Sequence, residues 1–280
     1  MSVVLSIITV NLNNASGLQK TLQSVAQQSF NAFEHWVIDG NSSDTSLEVI
    51  KSFNYPQLNY ISEADSGIYN AMNKGIIHAS GNYLLFLNSG DKLENDDVLS
   101  TVIPYLNGDY SILSGNIIFD DKKEYRLREH PDQLTFSYLV GNAISHPSTF
   151  IKSTLFDTYG LYQEDLRIVS DWAFFLLVLG IHNESYNKIP EVITVFDAHG
   201  ISTVKDNFDS VYKERHQVLE SYFPRVFNNE KDRYIFNKFT AFDKRSRYLM
   251  TIEEYPLLRK LTTVILFIFS SFLTFFKRSK

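Results

Sequence analysis

The stretch LFLNSGD, Leu85 to Asp91, carries an apolar run with strand character into small and amide residues and then a carboxylate. That carboxylate falls where the carboxyl end of a strand opens to solvent. There an aspartate can form a turn, cap the next helix or face a ligand. Comparable polar residues end the other apolar runs of the first half, Asn11 and Asn13, Asp39, and Glu63 and Asp65, and Asn88 precedes Asp91 in this one. Farther on, VSDWAFFLLVLG sets Asp171 at the start of a strongly apolar helix, where an acid offsets the helix dipole. The chain carries 26 Lys and Arg against 32 Asp and Glu, a net charge of -6. It therefore lacks the basic face that nucleic-acid binding requires. A phosphate-bearing ligand would need a helix N-terminus, a few basic side chains or a bound cation. With no cysteine there is no disulfide, thiolate metal site or cysteine nucleophile, as suits a reducing compartment. No H-E-x-x-H, G-x-S-x-G or G-K-[ST] segment occurs.

The elements that position these residues follow from periodicity. Val3 to Val10 is a continuous, β-branched run, as expected of a strand covered on both faces, and MSVVLSIITVNLNN reads as a first strand rather than a signal peptide. GLQKTLQSVAQQ is helical, FEHWVID a strand, SLEVIKSF a helix and LNYIS a strand. IYNAMNKGIIHA is then a helix and NYLLFLN a strand. Alternation of this kind predicts a doubly wound α/β fold whose ligands sit at the strand carboxyl ends. Beyond about residue 108 the alternation weakens. SILSGNIIF and KKEYRLRE read as a hairpin pair, HPSTFIKSTLFDTYG as a short strand and helix, and EVITVFDAHGIS as a strand running into a loop. From about Lys205 the pattern is helical and aromatic-rich, which divides the chain into 1–205 and a helical extension, 206–280. The uncharged run Leu261 to Phe276 is short of a comfortable span at about 1.5 Å per residue. A buried terminal helix, an interfacial helix and a tilted span all stay open. Basic residues on both flanks of that run, Arg259 and Lys260 before it and Lys277, Arg278 and Lys280 after it, favour peripheral contact of 255–280 with anionic lipid on a cytoplasmic face.

Taken in order, SIITVNLNN, VIDGNSSDTS, SEADSGIYNAMNKGI, LLFLNSGD, HPSTF and VSDWAFFL resemble the family 2 inverting glycosyltransferases of GT-A fold. The SEADSGIYNAMNKG and LNSGD segments are most similar to the branch that builds colanic acid, O-antigen and exopolysaccharide. The resemblance covers roughly 4–205 and implies transfer of a sugar from a nucleotide-sugar, a UDP-sugar first, to a lipid-linked oligosaccharide acceptor. It implies Asp91 as ligand of a divalent cation, Mg or Mn, that stabilises the leaving diphosphate. Asn88 stands where many relatives have a further aspartate, and Gly90 also replaces an acid of the fuller motif. It implies Thr9 and Asn11 as the wall of the base and ribose site and Asp39 as the acceptor of a base hydrogen bond. Asp39 also suits a turn or helix cap. Asp65 matches the loop before a helix whose amides can face the pyrophosphate. Lys74 reads either as a phosphate contact or as a structural lysine.

The same resemblance makes Asp171 the base that takes the proton of the acceptor hydroxyl. Trp172 and His146 fall on the acceptor side or in the core, and His199 is either a second metal ligand or a plain loop residue. A binding protein that has kept the nucleotide pocket without turnover is the competing reading. The location implied is the cytoplasmic face of the inner membrane.

Overall fold

Every residue of the first strand, β1 (Leu5–Asn11), is buried, so both faces of this strand are covered. The computed structural model describes residues 3–198, 207–233, 236, 248 and 251–278. They fall into two compact units, Met1–Tyr222 and Phe223–Lys280.

In the first unit β1 is followed by α1 (Ala15–Ala26), β2 (Phe33–Asp39), α2 (Ser46–Ser52), β3 (Leu58–Ser62), α3 (Ile68–His78) and β4 (Tyr83–Phe86). The expected alternation is present, and β2 and β3 have the limits read from the sequence. β1, β2, β3 and β4 pair in parallel, in the order β3-β2-β1-β4. All four therefore deliver their carboxyl ends to one rim.

The second half of the sheet is mixed rather than parallel. β5 (Lys92–Leu93) and α4 (Val98–Val102) lead into the hairpin β6 (Ile112–Asp120) and β7 (Tyr125–Arg128). α5 (Phe136–Gly141), β8 (Thr149–Lys152) and α6 (Thr154–Tyr159) follow. β8 runs antiparallel to both β4 and β6. α7 (Ser170–Phe175) runs on into π-helical turns over Leu176–Ile181. β9 (Tyr186–Asp197) starts five residues earlier than the EVITVFD run. It pairs in parallel with β6 across a register shift near Asn116. Pro190 has no amide to give the ladder, and the Asn116 side chain bonds its carbonyl at 2.8 Å. α8 (Phe208–Tyr222) closes the unit, so this helix, read from the sequence as part of the extension, falls in the first compact unit.

The core lies on both faces of the sheet: Ile8 and Ile38 pack against α3 at Gly75 on one face, and two clusters lie on the other, which α1 covers. One cluster gathers Leu5, Ile7, Leu85, Leu113 and Phe150 with Leu99 and Val102 of α4. The other packs Leu18 and Leu22 of α1 on Val37 and Ile50. At about 25 cal/mol per Å² of apolar area removed from water, each such side chain contributes about 1.5–3 kcal/mol.

The second unit holds α9 (Pro224–Phe227) and α10 (Pro256–Arg278). On α10 the side chains of Leu257, Leu261, Phe267, Phe269 and Phe272 are exposed. Among the described residues no helix is long and apolar enough to cross a membrane.

Candidate functional site

Three strand-end loops are stitched together by short polar side chains. After β1, Asn13 adopts φ 51° and its side chain accepts from the Ser43 amide at 2.7 Å. Asn14 caps α1 by accepting from the Gly17 amide, and its own amide donates to the Ser89 carbonyl at 3.0 Å. Asp44 accepts from the Ala15 amide, tying the β2 loop to the start of α1. Thr21 of α1 reaches the loop that contains the opening carboxylate. Its hydroxyl donates to the Asp91 carbonyl at 2.6 Å and accepts from the Gly90 amide at 3.0 Å. Gly90 has φ +112°, a conformation costly for any residue with a Cβ, so an acid at this position would strain the loop.

A cavity of about 710 Å³ opens beside these loops, within the range of small-ligand sites. Of the expected residues Asn11, Asp65, Asn88, Asp91, His146, Asp171 and Trp172 line it. Thr9, Asp39 and Lys74 do not, and His199 lies outside the described residues.

Asp91 is buried. Its Oδ1 accepts from the Asp197 amide at 3.0 Å, while Oδ2 is buried with no hydrogen-bond partner. Burial pushes its carboxyl up to about 8, and the negative charge of Asp197 works in the same sense. The side-chain oxygen of Asn88 is likewise buried and without a partner. An orphan carboxylate oxygen and an orphan amide oxygen beside a second aspartate form an oxygen-only set that fits a hard divalent cation. No group of three or more His, Cys, Asp or Glu side chains able to hold a metal forms among the described residues. The remaining ligands must then come from a bound diphosphate or water. Asp197, at the end of VFD, was not singled out from the sequence; only its place at a strand end marked it.

Asp39 is fully buried and saturated. Asn11 and Ser42 donate to its Oδ1 at 2.8 and 2.5 Å, and the Ser42 amide and Ser62 hydroxyl to its Oδ2 at 3.0 and 2.7 Å. Burial pushes this carboxyl up, but the hydrogen bonds outweigh it and hold it below the usual range. What faces the cavity is Asn11, whose buried Oδ1 has no partner. A Cβ on Gly40 would lie 2.4 Å from Asp65 Oδ2, so a larger residue there would displace the Asp65 carboxylate. Asp65 in turn accepts from the Gly67 amide at 3.1 Å, using one of the free amides at the start of α3. Lys74 binds Glu63 and the Ala64 carbonyl, both at 2.8 Å, and so pins this loop from outside. Thr9 donates to the Leu87 carbonyl at 2.7 Å and meets His35 Nε2 at 2.8 Å, inside the core.

Asp171 begins α7, and the Tyr69 hydroxyl stands 2.8 Å from its Oδ1 and 2.7 Å from the Ile168 carbonyl. Burial, reinforced by the Asp171 charge, raises the Tyr69 phenol well above its usual value, so it remains a proton donor. The loop before Asp171 is set from two sides. Asn73 of α3 bonds both backbone groups of Tyr162, and Glu214 of α8 accepts from the amides of Arg167, Ile168 and Val169. Tyr69 lies within SEADSGIYNAMNKG, but neither it nor Glu214 is a polar residue that closes an apolar run, so the strand-end rule marks neither. His146 stacks on Phe86 at 4.4 Å and meets the Tyr162 hydroxyl at 2.8 Å. Burial pushes it down to about 4, so it is neutral at pH 7. The Trp172 ring is buried, its N–H donating to the Leu139 carbonyl at 2.7 Å.

The sequence profile of Glycosyl transferase family 2 matches residues 6–163, more than half of the chain. An uncharacterized glycosyltransferase of Mycobacterium tuberculosis is 35% identical over 178 residues, 61% of this chain and 67% of that protein. A PGL/p-HBAD biosynthesis glycosyltransferase of the same organism is 32% identical over 182 residues, 60% and 67% of the two chains. Among solved structures, TarS of S. aureus aligns over 86% of this chain with a TM-score of 0.62 at 17% identity, and this chain spans 44% of TarS. The mannosyltransferase PcManGT from Pyrobaculum calidifontis, solved with GDP-Man and Mn2+, aligns over 80% of this chain and 64% of its own, with a TM-score of 0.58 at 16% identity. At such identities the likeness is one of fold.

Proposed function

Since this chain belongs to glycosyl transferase family 2, we propose that it is an inverting transferase that moves a sugar from a nucleotide-sugar to a hydroxyl of a growing, lipid-linked glycan of the O-antigen or exopolysaccharide kind. The observation that carries this reading is that Asp91, with an uncompensated buried oxygen, and Asp171, oriented by Tyr69, line one cavity of ligand size.

Asp171 is the base. Tyr69 engages Oδ1, and no partner among the described residues engages Oδ2, which is left to accept the proton of the attacking hydroxyl. The hydroxyl oxygen bonds to the anomeric carbon as the bond to the diphosphate breaks, so the configuration inverts. Holding base and hydroxyl in line is worth several kcal/mol of the barrier. Asp91, Asn88 and Asp197 are the residues that would hold a Mg or Mn ion, which as a Lewis acid neutralises charge on the leaving diphosphate. Asn11 reads the base edge through Oδ1, with Asp39 behind it fixing the amide orientation. A UDP-sugar is the first choice and a GDP-sugar the second; one solved relative holds UDP-GlcNAc and another GDP-Man. The exposed apolar side chains of α10, with Arg259 and Lys260, serve as an interfacial contact with anionic lipid on the cytoplasmic face.

The test is the melting temperature of the purified chain titrated with UDP, GDP, CMP and dTDP, with Mn and with EDTA, followed by turnover with the matching sugar donors. A shift with one nucleotide that EDTA abolishes, and transfer that Asp171→Asn lowers by about 10²–10⁴-fold, are the expected results. Absence of any shift, or full transfer by the Asn variant, refutes the assignment.

A further inference from the structure

We propose that the acceptor carries a negative charge, a carboxylate or a phosphate, next to the hydroxyl that receives the sugar, and that Arg128, Arg167 and Arg215 recognise it. This rests on the assignment of Asp171 as base and adds a chemical class to the acceptor.

The chain as a whole is acidic, yet three arginines line the cavity that contains Asp171. Arg128 lies at the end of β7, Arg167 in the loop before Asp171, and Arg215 on α8. The expected nucleotide-side residues Asn11, Asn88 and Asp91 instead come from the ends of β1 and β4. None of the three arginines makes an ion pair within 4.0 Å among the described residues. The acids near them are otherwise engaged. Glu214, the neighbour of Arg215 in sequence, has both oxygens on the backbone amides of residues 167–169. Asp171 has Tyr69, and Asp91 and Asp197 stand together at the candidate cation site.

Each of the two inner guanidiniums is anchored at an edge, which leaves donors over. Arg128 gives one N–H to the Ala143 carbonyl at 2.8 Å. Arg215 lies over the Trp172 ring, 4.7 Å from its centroid, with a long 3.5 Å contact to the Gly141 carbonyl. Its Nε is buried and has no partner. Burial lowers the hold of Arg215 on its proton. Arg128 adds to this effect and Asp171 opposes it, and the two guanidiniums are anchored on carbonyls only two residues apart, Ala143 and Gly141. Two like charges converging beside an orphan N–H is a costly arrangement unless an anion completes it. The planar fork of arginine matches the paired oxygens of a carboxylate or phosphate, which an ammonium does not. The stack on Trp172, the residue after Asp171, fixes the plane of that fork and sets it on the same cavity as the base.

The experiment measures binding of three probes to the full chain saturated with UDP and Mn: methyl glucoside, methyl glucuronide and glucose 6-phosphate. One anionic probe binding at least about tenfold tighter than the glucoside is expected, since charge-assisted hydrogen bonds are the stronger ones. Whether the glucuronide or the phosphate leads identifies the anion. Arg215→Gln abolishes the preference and Arg215→Lys restores it in part. Arg167→Gln, at an exposed position with little folding risk, weakens it while UDP binding is kept. Equal binding of all three probes, or a preference that survives both glutamine variants, overturns the proposal. Loss of UDP binding in the glutamine variants also overturns it, because the arginines would then serve the diphosphate. Failure of the unaltered chain to bind any nucleotide in the melting test overturns the transferase reading itself, and is seen separately.

Discussion

The His35 network makes a prediction whose size follows from the geometry. The Thr9 hydroxyl gives its proton to the Leu87 carbonyl at 2.7 Å, so toward His35 Nε2 it can only accept. His35 therefore carries its proton on Nε2, and Nδ1 accepts from the Tyr55 hydroxyl at 2.6 Å. Burial pushes His35 down to about 3, and His130 and His146 down to about 4. A base whose folded pKa lies below its unfolded value contributes stability above pH 6.5 and loses it as the pH falls toward the folded value. Between pH 6 and 5 each histidine costs up to about 1.36 kcal/mol per pH unit, or about 4 kcal/mol for three. In EDTA the raised Asp91 carboxyl acts oppositely by one such unit, because the folded chain there holds the extra proton. The balance is about 2.7 kcal/mol per unit, or roughly 5–10 °C in Tm for a domain of this size. His35→Gln should lower the slope by one histidine's share, about half of the net value. The assay is Tm against pH in EDTA, joined to 15N NMR of the imidazoles. A His35 signal that titrates near pH 6.5, or one that reports the Nδ1–H tautomer, would refute the argument.

Other outcomes follow from single contacts. Asp171→Asn should lower transfer by about 10²–10⁴-fold with nucleotide binding kept, as read by turnover beside calorimetry. Thr21→Val leaves the Gly90 amide without its partner and should cost about 1–3 kcal/mol in denaturant melts, with weaker Mn-dependent UDP binding. Gly40→Ala drives a methyl into Asp65 and should weaken nucleotide binding while circular dichroism stays that of the parent chain. At 100 times its Kd, UDP with Mn should stabilise the chain by about 2.7 kcal/mol, and Asp91→Asn should lose that gain in a thermal melt. Removal of 256–280 should abolish sedimentation with anionic vesicles and leave nucleotide binding unchanged.

How far the sequence could be read depended on whether the signal was local. In the parallel half each strand is a continuous apolar run ended by a polar residue, so β2 and β3 could be bounded from composition alone. The same rule led to Asp91 and to the rim it occupies. It was less informative where side chains meet across long sequence separations. Thr9 and Asp39 hold positions of the family pattern, yet both are consumed by neighbours, Asp39 by Asn11, Ser42 and Ser62, which leaves Asn11 as the group facing the cavity. Lys74 sits nearly two turns along a helix whose first turn borders the cavity. Its partner Glu63 lies before the helix begins, so helical spacing does not relate the two. Asp197 approaches Asp91 only because β5 and β9 pair, a two-residue ladder that no periodicity announces. Glu214 and Arg215 act on the Asp171 loop from a helix that begins 37 residues after that aspartate, and helical spacing alone reads them as a solvated face. A carboxylate's type and strand-end place were thus legible, whereas its protonation and aim depend on partners brought together by the mixed half of the sheet. The variants that best separate a working transferase from an idle pocket are therefore at Tyr69, Glu214 and Arg215. Glu214 and Arg215 lie outside every segment that carries the family resemblance, Tyr69 lies inside SEADSGIYNAMNKG without being an acid or a strand-end residue, and each touches either Asp171, the loop that carries it, or the Trp172 ring beside it.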